Sequence, residues 1–178
     1  MVKRLTIARV ALAAASGVLA GCADHHGMTY TITLDPAFSG EQTEGILAAT
    51  ELWQRAVPGL TLMTRISTCG SDDTHAICFF IDDAAPPSDV VALTTWDSHC
   101  VDPAGCADQD DATTHVYRSK LPAMATAIVF QNMATHELGH AMTQDGSHLA
   151  TGNVMEPKLS NDAVGLTAAD VAYFWSAR

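Results

Sequence analysis

Basic residues are scarce in this chain. Lysine and arginine number 9 against 20 aspartates and glutamates, a formal net charge of −11. A surface of that sign repels phosphate backbones, which excludes nucleic-acid binding. The apolar run near the N-terminus, Val10 to Ala20, is too short to span a bilayer comfortably. The chain has no G-x-S-x-G elbow, no phosphate loop and no cysteine–histidine pairing with a local signature. Serine-nucleophile, phosphate-loop and thiol chemistries therefore find no support. Cysteine numbers only 5, and no C-x-x-C spacing supports a cysteine zinc cluster. No internal repeat is present.

What is present begins with Lys3, Arg4 and Arg9 ahead of the apolar run, the pattern of a signal sequence. The run ends in Leu19-Ala20-Gly21-Cys22, which resembles the bacterial lipoprotein box. That resemblance implies a signal peptide over 1–21, lipidation of Cys22, and a short tether over 22–28. It implies an exported protein anchored to a bacterial membrane or cell surface. With Ala23 rather than Asp after the cysteine, the outer membrane is the expected destination in a Gram-negative source. Removing residues 1–21 leaves 157 residues, which suits one domain, 29–178, with one core. Only 6 basic residues then face 20 acidic ones, a net charge of −14. Cys69, Cys78, Cys100 and Cys106 remain, an even number suited to an oxidising compartment. Local pairing, Cys69 with Cys78 and Cys100 with Cys106, is expected because each closes a short loop rich in Gly, Asp and Pro.

Alternation predicts strands over Thr29–Leu34 and Leu60–Ser67. The apolar run Ile77–Ile81 predicts a short, central strand. Further strands are expected over Val90–Trp96 and Thr113–Arg118. Ser39 followed by Gln42 opens a helix with a capping box, and Pro58-Gly59 ends it. Its apolar face is Ile46, Ala49, Leu52 and Trp53. A second helix is expected from Ala125 to Gln144, with Ala127 to Phe130 and Met133 as its apolar stripe. Thr167 and Asp170 form another capping box, before a last helix with Val171, Phe174 and Trp175 inward. Asp108, Asp110 and Asp111 offer oxygen ligands, but their spacing fits no full calcium loop, so structural calcium is unsupported.

The second helix carries the chemistry. His136, Glu137 and His140 stand in the spacing H-E-x-x-H. On a helix the two histidines are one turn apart on one face, where both can hold one divalent metal. Glu137 is rotated about 100° from His136, toward a water on the metal rather than the metal itself. His148 follows Gly146, which offers a helix stop, and then comes Asn153-Val154-Met155. These residues, HELGHAM, a later histidine and NVMEP, resemble the metzincin zinc peptidases, most closely the matrixin-like branch.

That resemblance implies an α+β domain: a twisted, mostly parallel sheet of about five strands, an N-terminal helix, a zinc-site helix and a C-terminal helix. It implies a zinc endopeptidase in which His136 and His140 are ligands, Glu137 is the general base and Met155 is the turn methionine. The fourth strand becomes the edge strand that takes an extended peptide, with Trp96 beside the cleft. The third ligand departs from the family spacing, whose glycine falls at Thr143 and whose third histidine falls at Gly146. His148, two residues late, is the expected ligand, with Gly146 making the bend. Asp145 is the substitute, and Glu156 takes the role if the protein is gluzincin-like instead. The rival class is a non-catalytic zinc-binding lipoprotein. Peptide or protein substrate and a monomeric state complete the expectations.

Overall fold

The computed structural model describes residues 28–69, 76–87, 89–96, 111–124, 126–149, 153–156, 162 and 165–177. In chain order the elements are β1 (Met28–Leu34), α1 (Gly40–Ala56), β2 (Leu60–Ile66), β3 (Ala76–Asp82), β4 (Ala92–Trp96) and β5 (Ala112–Tyr117). A 3-10 segment (Arg118–Met124), α2 (Ala127–Thr143) and α3 (Ala168–Ser176) follow. The expected α+β class is therefore present, a five-stranded sheet with three α-helices.

The strand order is β2-β1-β3-β5-β4, parallel throughout except for β4, which runs antiparallel to β5 at one edge. β3 is the middle strand, as its unbroken apolar character predicts. Its inward residues Ile77, Phe79 and Ile81 are buried. In β4 the buried positions are Ala92 and Thr94; in β5 they are Ala112, Thr114, Val116 and Tyr117. Thr94 and Thr114 stand directly opposite each other in the β4–β5 register.

Helix α1 starts as its capping box dictates. Ser39 Oγ accepts from Gln42 N at 3.3 Å, and the Gln42 side chain accepts from Ser39 N at 2.8 Å. α1 packs on α2 through Gly45, where a Cβ would sit 2.8 Å from Ala127 O. Trp53, fully buried, donates its indole N–H to Thr135 O of α2 at 2.9 Å. α1 and α2 thus form one layer against the inner face of the sheet.

Some expected boundaries shift. The fourth strand begins at Ala92 rather than Val90, and the fifth runs from Ala112 to Tyr117, with Arg118 opening the 3-10 segment. Ile128, expected in the apolar stripe of α2, is exposed. Two positions from Phe130 is about 200° around the helix, so burying Phe130 turns Ile128 outward. The disulfide between Cys69 and Cys78 is present, with Cα atoms 5.9 Å apart. Residues 1–27, including Cys22, lie outside the described residues, as do Cys100, Cys106, Asp108 and Asp110. Asp111 accepts from Ala76 N at 2.9 Å. Among the described residues no helix is long and apolar enough to cross a membrane.

Candidate metal centre

Helix α2 begins at the N-cap Thr126, whose hydroxyl accepts from Val129 N at 3.3 Å. It buries Val129, Phe130, Met133, Leu138 and Met142. This anchors the helix and leaves His136 and His140 on a common flank one turn apart. Their Nε2 atoms face each other at 2.9 Å. His148 closes the group: ligand atoms of the three rings all lie within 4.8 Å of one another. Its ring centroid is 5.2 Å from that of His136 and 5.0 Å from that of His140. Among the described residues this is the one group of three metal-ligating side chains at such distances. Three histidines there can hold a metal ion.

The outer contacts of the rings decide their protonation. His136 Nδ1 lies 2.8 Å from Val154 O, and His140 Nδ1 lies 2.6 Å from Asp145 O. A carbonyl only accepts, so both Nδ1 atoms are the donors, and each neutral ring carries its lone pair on Nε2. Two lone pairs facing each other at 2.9 Å repel unless a cation or a proton lies in their reach. Burial holds both imidazoles below the ordinary histidine range, which opposes the proton. The nearby His148 also disfavours charge on His136, as His136 does on His140. The donor set therefore fits a metal ion, with the backbone carbonyls fixing the ring orientation.

The Glu137 carboxylate meets β4, the edge strand of the sheet. It accepts from Thr94 Oγ1 at 2.6 Å, and that hydroxyl lies 2.9 Å from Thr114 Oγ1. Burial pushes the Glu137 carboxyl above the usual carboxylate range, with the Thr94 hydrogen bond partly opposing the shift. Thr94 is a contact of Glu137 that sequence reasoning missed. The cross-strand register placing it beside Thr114 is a tertiary property, and no local motif announces it.

The floor of the site is the 153–156 turn. Met155 is fully buried beneath Gly139. A Cβ on Gly139 would overlap the Met155 sulfur and come within 3.2 Å of Trp53 Cζ2, so only glycine lets α2 settle this closely. Met155 N donates to Asp170 Oδ1 at 3.1 Å. Asp170, fully buried, also accepts at Oδ2 from Thr167 N at 2.8 Å and Thr167 Oγ1 at 2.7 Å. The capping box legible at Thr167 and Asp170 thus does more than start α3. It ties that helix to the turn whose Val154 carbonyl orients His136.

One expectation needs correction. The helix does not bend at Gly146. It ends at Thr143, and the left-handed residue is Gln144, with φ 53°. Stopping there brings Asp145 O back onto His140 Nδ1 and lets Gln144 N donate to His140 O at 2.8 Å. Those two bonds offset the roughly 1–2 kcal/mol that a non-glycine residue costs in this conformation. Asp145 does not join the histidine group: Oδ1 accepts from Ser147 N and Oδ2 from Ser147 Oγ, both at 2.8 Å. Glu156 does not join it either. Trp96, at the end of β4, lies near Gly146, where a Cβ would be 3.8 Å from its ring. His115 sits on the outer face of the sheet, its Nδ1 2.9 Å from Asp82 Oδ2.

No family model matches the chain, and no curated protein matches it.

Proposed function

We propose that this chain is a zinc-dependent endopeptidase of the metzincin type, acting as a monomer tethered to a bacterial membrane by lipid on Cys22. The observation that supports it most is the pairing of two functions on adjacent turns of α2. His136 and His140 aim unprotonated Nε2 atoms at one point with His148 beside them, while Glu137, next to His136 in the helix, holds a buried carboxylate within electrostatic reach of His140 and His148. A purely structural metal site has no need of that carboxylate, which costs stability by its burial.

A zinc ion held by the three histidines would supply a Lewis acid that lowers the pKa of a bound water to about 7. The protein's own part is proton handling and alignment. Glu137 takes a proton at its carboxylate and delivers it to the departing amine. Burial raises its affinity for protons, which favours the uptake step. Thr94 fixes the carboxylate on one side and so limits its rotamers. Among the described residues strand β4 is a sheet edge, with one side of its backbone unpaired by the sheet. An extended peptide adding to that edge lies alongside the residue that holds Glu137.

The test is cleavage of an unstructured protein with and without a chelator. Cleavage that stops on chelation and returns with added zinc is expected. Cleavage indifferent to the chelator, or none in the presence of zinc across varied unstructured substrates, would remove the endopeptidase reading.

A further inference from the structure

His148 differs from its two partners. It lies beyond the end of α2 and is exposed, where His136 and His140 are held by a helix. A ligand on such a segment loses affinity to the entropy of ordering its backbone unless something has already fixed that backbone. Both neighbours of His148 are fixed. Leu149 N donates to Met155 O at 2.9 Å on one side. On the other, Ser147 is folded back on Asp145 through two bonds to its carboxylate. That turn is in turn held from α3. The Tyr173 hydroxyl, on a buried side chain, lies 3.2 Å from Asp145 O and 3.4 Å from Ser147 O, sharing its one proton between them. Ser147 Oγ reaches the same hydroxyl at 3.3 Å.

We propose that Tyr173 is a positioning residue for the metal centre, its hydroxyl holding the 145–147 turn in the form that delivers His148. This rests on the reading of the three histidines as ligands. His140 also meets the turn, through its Nδ1 bond to Asp145 O, but its backbone is held by α2, whereas that of His148 is held by the turn alone on that side. α3 is a firm base for the contact: Phe174 is fully buried with its ring centroid 5.8 Å from that of Trp53, and Asp170 holds Met155 N.

Removing only the hydroxyl tests this. In the whole protein, Tyr173→Phe is expected to weaken zinc binding about tenfold, within the range for contacts that orient metal ligands. The affinity is measured by competition with a chromophoric chelator. Cobalt substituted for zinc should show an altered visible absorption band in the same variant. Ser176→Ala removes a hydroxyl that bonds Tyr173 O at 2.8 Å and does not touch the turn; it should leave the zinc affinity unchanged. In a His148→Ala background, Tyr173→Phe should cost less than about twofold, because two mutations on one interaction do not add. An equal tenfold loss with and without His148, or a Tyr173→Phe protein that is less stable yet binds zinc as the parent does, would overturn the proposal alone. A parent protein that binds no zinc would overturn the ligand reading, and the proposal with it.

Discussion

Glu137→Gln is expected to bind zinc as tightly as the parent protein and to lose peptide hydrolysis by about 10²–10⁴-fold, the usual contribution of a placed general base. The amide keeps the shape of the side chain and can still accept from Thr94, so the helix and the histidines stay in place. It cannot take a proton from water. The loss should therefore fall on turnover rather than on substrate binding. A second readout follows from burial. Glu137 has its carboxyl pushed above the ordinary value of 4.5 in the folded protein. As pH rises past that value the unfolded chain releases its proton first, so the unfolded state binds fewer protons and stability falls with rising pH. Glutamine does not titrate. The metal-free variant should thus melt at a higher temperature than the metal-free parent at pH 7, and the gap should close below about pH 4.5. Undiminished turnover in Glu137→Gln would remove Glu137 from the mechanism.

The second large effect is structural. Asp170→Ala leaves Met155 N and Thr167 N without their carboxylate acceptor. Met155 N is buried and Thr167 N partly so; an unsatisfied buried group costs about 1–3 kcal/mol and a partly exposed one less, so a loss of about 2–4 kcal/mol is expected. For a chain of this size that lowers the melting temperature by roughly 5–15 °C. The damage should also reach the metal, because the 153–156 turn carries the Val154 carbonyl that orients His136. Zinc affinity and thermal unfolding measured on the same preparation should both fall. Asp170→Asn keeps one accepting oxygen and should land between the two. A protein that loses stability but keeps its full zinc affinity would show that the turn does not orient His136.

Much of the fold is legible in the residues. The capping boxes at Ser39–Gln42 and Thr167–Asp170 announce two helix starts because that signal is local and chemical. The unpunctuated run Ile77–Ile81 announces the central strand because a strand flanked by strands on both edges sets apolar residues on both faces, Ile77, Phe79 and Ile81 inward and Phe80 against His115 outward. The spacing of His136 and His140 announces a shared face through helix geometry alone. What is not legible depends on distance in the chain. Thr94 meets Glu137 across 43 residues, and Tyr173 meets Asp145 across 28. Neither carries a motif. The end of α2 escapes the sequence for another reason. Gly146 is the residue that tolerates a left-handed backbone at least cost, but hydrogen bonding at His140 places the bend at Gln144 instead.

The central claim is that His136, His140 and His148 together hold one zinc ion. Elemental analysis of the protein purified with zinc supplied tests it most directly, with His148→Ala, Asp145→Ala and Glu156→Ala measured alongside. About one zinc per chain is expected in the parent, as for a three-histidine site. His148→Ala should lose most of it, Glu156→Ala should keep it, and Asp145→Ala, which frees Ser147 without removing a ligand, should lose less than His148→Ala. A parent chain without zinc, or a loss confined to Asp145→Ala or Glu156→Ala, would contradict the account.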